Sequence, residues 1–314
     1  MKKISIVIPC YNEEGNVVQI CDAIQNILNQ QLQEYTYEII LIDNKSKDNT
    51  RDKIRKLCEK DTRIKAIFNM KNFGQFNSPY YAMCQATGDC VIMISADFQD
   101  PVELIPVMVR EWEKGNRVVA TIKTTSQESK LMYLIRSTYY KLIKKMSSVS
   151  QIEHFTGFGL YDQSFIEVLR TLKDPTPFLR GIVAEYAPDC AFIEYEHKKR
   201  KAGRSSNNFF TLFDAAMLSF TSYTKGGLRL ATFAGFIISG FSFLIALIYF
   251  IMKIMYWDKF AMGSAPILIG VFFFGGVQLF FTGLVGEYIM SMNTRIMNRP
   301  LVIEEERINF DETE

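Results

Sequence analysis

The sequence predicts an α/β domain with a mostly parallel sheet, followed by interfacial helices and a two-helix transmembrane hairpin. Short runs of apolar residues typical of strands alternate with helical stretches along the N-terminal part of the chain. Such alternation favours a parallel sheet that helices cover on both faces. Toward the other end, the segments 230–252 and 260–286 contain no charged residue. Each is long enough to cross a bilayer of about 30 Å as a helix.

The predicted elements follow one another with polar residues at each strand end. Strands are expected over 4–8, 37–43, 64–68, 90–96 and 117–122, and helices over 17–28, 51–60, 75–86 and 102–114. In open α/β sheets, ligands bind at the carboxyl ends of the strands. We therefore expect the functional site at the residues that follow the first, second and fourth of these strands.

The fourth strand ends in the most informative stretch of the chain. Asp97 and Gln99 are two residues apart, so from an extended tip they point the same way and can share one hard divalent cation through oxygen. Such a cation would hold a diphosphate. The alternative is a plain strand-to-helix turn in which Asp100 caps a helix that begins at Pro101.

Two other strand ends carry similar polar groups. Tyr11, Asn12 and Glu13 follow the first strand, and Asp43 ends the second. Each residue alone is explained by turn formation, but together they gather at one edge. The chain contains no glycine-rich phosphate loop of dinucleotide-binding or P-loop spacing, which argues against a dehydrogenase or an NTPase.

Charge and cysteine usage point to a membrane protein with a cytosolic domain. The net charge of +2 gives no reason to expect nucleic acid as a partner. Basic residues precede the first apolar segment and follow the second, whereas the connection has only Lys253 and Lys259, so both termini are expected in the cytosol. A buried core helix is the alternative for each segment. The six cysteines show no paired spacing, which indicates neither a zinc site nor disulfides.

These patterns divide the chain into four parts. We expect a cytosolic domain over 1–207, a juxtamembrane amphipathic segment over 208–229, two transmembrane helices over 230–290 and a cytosolic tail over 291–314. The segments 131–146 and 209–223 are rich in apolar residues, and the first of them interleaves these with basic ones. Such helices either lie in the membrane interface or pack on the sheet, and the sequence leaves both open.

Five motifs then resemble one known family. They are Ile6–Glu14, Ile42–Thr50, Asn72–Gly74, Gly88–Asp89 and Ala96–Pro101. The chain resembles family 2 glycosyltransferases, and within them the polyprenyl-phosphate group that includes dolichol-phosphate mannosyltransferase and bacterial undecaprenyl-phosphate glycosyltransferases. The resemblance implies a Rossmann-like nucleotide-sugar transferase domain of GT-A type. It also implies inverting transfer of a hexose, from UDP-glucose or UDP-N-acetylglucosamine, to undecaprenyl phosphate at the cytosolic face of a bacterial inner membrane, for cell-wall or O-antigen glycan modification.

The same resemblance implies roles for individual residues. Asp97 and Gln99 would bind Mg²⁺ or Mn²⁺, and Asp97 and Arg200 would be catalytic. A basic patch on anionic lipid is the alternative for Arg200. Further partners that the resemblance suggests are a homo-oligomer, a flippase and a second glycosyltransferase downstream. The residues expected to bind the nucleotide sugar are Pro9, Tyr11, Asn12, Glu13, Asp43, Asp97 and Ser205.

The chain departs from the family pattern at several positions, among them Ser206 and Asn207, where a phosphate-binding lysine has no counterpart. Ser95 stands where the metal motif usually begins with an acid, and a hydroxyl is a weaker ligand. Gly157 and Gly159 replace an acid and an arginine, which predicts a roomier sugar pocket and brings N-acetylglucosamine into competition with glucose. These losses motivate a different class of function, a non-catalytic scaffold with a degenerate transferase domain. A processive polysaccharide synthase is a further alternative.

Overall fold

The computed structural model describes residues 1–125, 152–196, 214, 217–222, 226–255 and 264–310. Within them, eight strands form one sheet with the order β7-β5-β6-β4-β1-β2-β3-β8. The strands are β1 (Lys3–Cys10), β2 (Thr36–Asp43), β3 (Ile64–Asn69), β4 (Cys90–Met93), β5 (Val118–Thr125), β6 (Phe155–Asp162), β7 (Ala191–Glu196) and β8 (Glu304–Ile308).

Helices cover both faces of this sheet, as the alternating pattern predicts, and two long helices follow them along the chain. The helices are α1 (Val17–Gln31), α2 (Thr50–Lys60), α3 (Gly74–Gln85), α4 (Ile105–Glu113), α5 (Gln163–Leu172), α6 (Leu179–Tyr186), α7 (Gly226–Met255) and α8 (Ser264–Met297). A 3₁₀ turn, Val102–Leu104, leads into α4. Helices α1, α2 and α4 pack on one face, and α3, α5 and α6 pack on the other.

Each face of the sheet has its own hydrophobic core, because successive side chains along a strand point to opposite faces. On β1, Ile6 and Ile8 belong to the core under α1, whereas Val7 belongs to the opposite core. On β2, Leu41 and Ile42 divide in the same way. Because successive side chains of a strand point to opposite faces, a run that is apolar throughout forms a strand buried on both sides.

The sheet is mixed, with a parallel centre. Strands β1, β2, β3 and β4 pair in parallel, whereas β6 runs antiparallel to β4 and β5, and β8 runs antiparallel to β3. This architecture agrees with the expected α/β fold of GT-A type and its mostly parallel sheet. Strand β8 had no counterpart among the predicted elements, since it lies in the stretch predicted to be a tail.

Two long helices separate β7 from β8 along the chain. Helix α7 has 30 residues and α8 has 34, and both expose many large apolar side chains. In the part of the chain that the structure describes, one helical segment, Phe273–Met297, is long and apolar enough to cross a membrane. The two-helix hairpin therefore stays a prediction.

Candidate active site

The carboxyl ends of β1, β2 and β4 meet at one edge of the sheet. Strand pairing places Cys10 opposite Asp43, and the N–H of Asn44 donates to the carbonyl of Cys10 at 2.9 Å. On the other side of β1, Val7 pairs with Met93 at the end of β4. This edge brings together Pro9, Tyr11, Asn12, Glu13, Asp43, Asp97 and Gln99, the nucleotide- and metal-binding residues expected from the first, second and fourth strands.

The loops after β1 and β2 are tied into one unit by Asn12 and Glu13. The N–H of Asn12 donates to Ser46 Oγ at 2.9 Å, and its side-chain oxygen accepts from Lys47 N at 2.8 Å. The N–H of Glu13 donates to Thr50 Oγ1 at 2.8 Å. Asn12 adopts a positive φ of 56°, a conformation that asparagine tolerates well. Because both loops are fixed to each other, they present one preformed rim to a ligand.

Asp43 is fully buried at the end of β2 and is held by its own loop and by α2. Its Oδ2 accepts from Arg51 Nε at 2.8 Å and from Lys45 N at 3.1 Å. Arg51 also donates to the carbonyl of Asn69 at 3.1 Å. A buried carboxylate requires such a partner, since an unpaired charge in this position would be strongly destabilising. Arg51 was not among the predicted site residues, although it directly follows the Ile42–Thr50 motif.

Cys10 lies beside Asp43 but is not a candidate nucleophile. Burial raises the pKa of the Cys10 thiol well above its ordinary value, and the neighbouring Cys21 and Asp43 raise this pKa further. The thiol is therefore protonated at neutral pH, and a thiol without thiolate character is inert.

The stretch after β4 forms a tight turn around two buried carboxylates. Asp97 Oδ1 accepts from Gln99 N at 3.1 Å across Phe98, whose φ is 60°. Asp100 Oδ2 accepts from Ser95 Oγ at 2.7 Å, and Asp100 Oδ1 accepts from Tyr195 Oη at 2.8 Å. No cap hydrogen bond from a side chain occurs at the start of the following 3₁₀ turn. The alternative in which Asp100 caps this helix is therefore wrong, since its carboxylate bridges Ser95 and Tyr195 instead.

These contacts determine which oxygen atoms after β4 are available to bind a metal ion. The Ser95 hydroxyl donates a hydrogen bond to Asp100, so a serine at this position has a structural role that needs no metal. Asp97 offers one nearly buried carboxylate, and Gln99 adds an amide oxygen. Across the described ranges, no group of three or more His, Cys, Asp or Glu side chains is arranged to hold a metal ion. The donor set fits a hard cation only if a diphosphate and water supply most of its ligands.

The two glycines of β6 have structural reasons for lacking a side chain. A Cβ on Gly159 would lie 2.5 Å from the carbonyl oxygen of Val119, because the strands approach closely there. Gly157 has a φ of +101°, and a Cβ on it would lie 2.7 Å from Met93 Cε. The prediction that Gly159 enlarges a sugar pocket is wrong, since backbone occupies that space. At Gly157, Met93 fills the volume.

Some predicted residues lie outside the described part of the chain. These are Arg200 and Ser205, together with the segment 131–146 and most of 209–223. Tyr195 is described, and it lies on β7, the strand that precedes Arg200. The contact between Tyr195 and Asp100 has no local signal in the sequence, because the two residues are far apart along the chain.

Comparison with known proteins identifies the domain. The family model described as "Glycosyl transferase family 2" matches residues 5–169. The chain is 30% identical over 302 residues to the SfII prophage-derived bactoprenol glucosyl transferase of Shigella flexneri, covering 96% of this chain and 97% of that protein. It is 28% identical to the prophage bactoprenol glucosyl transferase homolog of Escherichia coli strain K12, covering 96% and 98% of the two chains.

Among solved structures, glucosyl-3-phosphoglycerate synthase from Mycobacterium tuberculosis, crystallised with Mn²⁺, UDP-glucose and phosphoglyceric acid, is similar with a TM-score of 0.47. Its identity is 14%, and the match covers 70% of this chain and 78% of that one. The family model spans more than half of the chain, and a 30% identical relative matches nearly its whole length. The chain therefore belongs to glycosyl transferase family 2.

Proposed function

We propose that the protein transfers glucose from UDP-glucose to undecaprenyl phosphate at the cytosolic face of a bacterial inner membrane. The observation that carries this proposal is where the chain enters the sheet after α8. Strand β8 begins at Glu304, opposite Asn69 at the carboxyl end of β3. Only residues 298–303 separate this point from the end of α8. The candidate active site therefore lies at the edge of the sheet nearest to the apolar helix, where a membrane-bound acceptor would be.

The strand β8 also supports the predicted hairpin. The chain leaves the sheet after β7 and returns to the same sheet at β8. Any intervening region must cross a membrane an even number of times, because both of its ends belong to one domain. If Phe273–Met297 is one crossing, α7 supplies the other. This arrangement places both termini on the side of the transferase domain.

In this proposal the residues at the strand ends bind the donor. Pro9, Tyr11 and Asp43 hold the base and ribose, while Asn12 and Glu13 keep the two loops together. Asp97 and Gln99 hold Mg²⁺ or Mn²⁺, which when bound neutralises charge on the diphosphate. Arg200 and Ser205 are assigned to the diphosphate and acceptor by family resemblance alone.

The chemistry follows from the acceptor. A lipid phosphate is an anion at neutral pH, so its oxygen attacks the anomeric carbon without needing a strong general base. The new bond to the phosphate oxygen forms as the bond to the diphosphate breaks, and UDP leaves with the electron pair. A single displacement inverts the anomeric configuration, giving a β-linked lipid phosphate sugar from an α-linked donor.

Two observations favour glucose over N-acetylglucosamine. Met93 Cε would lie 2.7 Å from a Cβ on Gly157, so the open space expected at Gly157 for a bulkier 2-acetamido sugar is already filled. The names of the two full-length relatives from Shigella flexneri and Escherichia coli describe a bactoprenol glucosyl transferase and a homolog of one. N-acetylglucosamine remains the second candidate, because the long side chain of Met93 can move aside and Gly157 offers no polar group that fixes the sugar.

A transfer assay tests the proposal. The purified full chain, reconstituted with undecaprenyl phosphate and Mg²⁺, would be given radiolabelled UDP-glucose, UDP-N-acetylglucosamine, UDP-galactose or GDP-mannose. The expected product is a single acid-labile glycolipid from UDP-glucose. Formation of a growing polysaccharide would favour a synthase. Binding of UDP without any transfer would favour the scaffold, and either result would overturn the proposal.

A further inference from the structure

The C-terminal strand reaches the nucleotide edge of the sheet with a charged side chain. Glu305 Oε2 accepts from Lys45 Nζ at 2.8 Å and from Arg51 Nη2 at 2.9 Å. Arg51 in turn holds Asp43 through its Nε at 2.8 Å. We call Asp43, Lys45, Arg51 and Glu305 the β8 network. It joins residues of β2, the following loop, α2 and β8.

The two oxygens of the Asp43 carboxylate accept different numbers of hydrogen bonds. Oδ2 accepts from Arg51 Nε, from Lys45 N and, at 3.2 Å, from Ser46 N, whereas Oδ1 lies 3.3 Å from the same Ser46 N. A carboxylate oxygen can accept more than one hydrogen bond. Arg51 and Lys45 therefore fix the orientation of the buried Asp43 carboxylate, which lies at the end of β2 beneath the loop expected to contact the donor.

Arg51 is held at both ends of its guanidinium, and Glu305 is one of its partners. Its guanidinium lies 5.1 Å from the ring centre of Phe68 and is held at one end by Asp43. At the other end, Nη2 is shared between the carbonyl of Asn69 and the carboxylate of Glu305. Lys45 and Arg51 hold the pKa of Glu305 at about 2, so this carboxylate stays charged at neutral pH.

We infer that Glu305 is a positioning residue of the nucleotide site, acting through Arg51 and Lys45 on the carboxylate of Asp43. This inference rests on the proposed function, since it assigns Asp43 to the donor nucleotide. It means that the site is completed by a strand that follows both long helices, so donor binding depends on the C-terminal segment.

The chain provides a matched control on the same strand. Glu306 contacts Arg55 Nη2 at 2.7 Å, one turn further along α2 than Arg51 and away from Asp43. The exposed fractions of the Glu305 and Glu306 side chains are 42% and 39%. Glu305→Gln and Glu306→Gln therefore remove equivalent charges from β8, but only the first disturbs the network around Asp43.

The test is UDP binding to the full chain in detergent with Mg²⁺, measured by calorimetry, together with the KM and kcat for UDP-glucose. Glu305→Gln should raise the dissociation constant of UDP and the KM about fivefold with little change in kcat, as expected for one lost charge pair at a partly exposed site. Glu306→Gln should stay within about twofold of the wild type. Equal effects of the two variants on UDP binding would show that β8 matters only because it pairs with the sheet. That result would overturn the inference.

A second variant, at Lys45, tests the same network in case Glu305→Gln impairs folding. Lys45→Gln removes the other arm of the network from a side chain that is 40% exposed, so it should fold normally. The double variant Lys45→Gln with Glu305→Gln should bind UDP no more weakly than Glu305→Gln alone, because the two act through one contact. Fully additive effects would overturn the inference. A wild-type protein that binds no UDP would overturn the proposed function as well, which separates the two failures.

Discussion

The buried carboxylate of Glu38 is expected to be a main source of stability in the transferase domain. It lies on β2 at the edge of the sheet opposite the candidate site, and it accepts from Lys3 Nζ at 2.8 Å, Lys65 Nζ at 2.9 Å and Ser5 Oγ at 2.6 Å. The N–H of Thr87 adds a fourth contact at 2.8 Å. Glu38 therefore connects β1, β2, β3 and the turn before β4.

The size of its contribution follows from its pKa. Burial raises the pKa of Glu38, but the hydrogen bonds from Lys3, Ser5, Thr87 and Lys65 outweigh it and lower the pKa from 4.5 to about 2. At 1.36 kcal/mol per pKa unit, this shift corresponds to about 3 kcal/mol of unfolding free energy at neutral pH. Breaking a buried ion pair by removing one partner costs a similar amount, about 3–5 kcal/mol.

We therefore expect Glu38→Gln to lower the unfolding free energy by about 3 kcal/mol at pH 7, which is about 6–12 °C in melting temperature. The folded pKa is depressed, so the stabilisation is present above pH 4.5 and is lost as the pH falls toward 2. The two proteins should thus converge in acid. Glu59→Gln, on the exposed side of α2, is the control. A Glu38 variant within about 0.5 kcal/mol of the wild type at pH 7 would refute the reasoning.

Three further predictions concern the site and the membrane. Asp97→Asn should lower transfer at least about a hundredfold, the scale of one lost charge contact in the transition state, and full wild-type activity in EDTA would contradict the metal role. A reporter at Gly263 should be accessible from outside the cell and one after Glu314 should not; external labelling of the C-terminus would exclude the hairpin. Gly157→Ala should destabilise the domain by about 1–3 kcal/mol in denaturant titrations because of its φ of +101°, with wild-type stability arguing against strain there.

The sequence predicted the parallel centre of the fold because its signals are local. In β1, Ile6, Val7 and Ile8 are consecutive apolar residues, a pattern typical of a strand that is buried on both faces. Polar residues follow soon after this run and mark the end of the strand. The same holds for β2. Strand β4 ends at Met93, three residues earlier than predicted, and beyond it the N–H of Ser95 donates to Asp100 Oδ2 instead of to a neighbouring strand.

Strand β8 could not be predicted from its own residues. Glu304–Ile308 carries three consecutive glutamates, a composition typical of a solvated tail. Those charges suit an edge strand, but only because Arg51 and Arg55 of α2 face Glu305 and Glu306. This complementarity appears only when two segments some 250 positions apart along the chain are brought together.

The site shows the same division between local and long-range information. Asp43 and Asp97 were predicted because one ends a strand and the other comes just after one, and both strand ends lie at one edge of the sheet. Arg51, Tyr195 and Glu305 were missed because each acts through a partner on another element. Ser95 illustrates the consequence: its hydroxyl looked like a weakened metal ligand, whereas in the structure it donates to Asp100.

The short connection between α8 and β8 leads to a last prediction, on the coupling of the site to the membrane. Residues 298–303 reach at most about 20 Å even when fully extended, so the nucleotide edge is held close to the end of α8. The connection is also anchored, since Met70 N donates to the carbonyl of Ile303 at 3.0 Å. Inserting six Gly/Ser residues between Asn298 and Arg299 would about double this reach.

The insertion should leave UDP binding unchanged, because β8 and its contacts lie beyond it, while transfer to undecaprenyl phosphate should fall at least about tenfold. Misplacing reacting groups by even about 1 Å can cost two orders of magnitude. The same six residues inserted after Gly263, in the connection between the two long helices, provide the control and should leave transfer intact. If the first insertion preserved transfer, the acceptor would not be positioned by the end of α8, and the membrane orientation argued from β8 would be wrong.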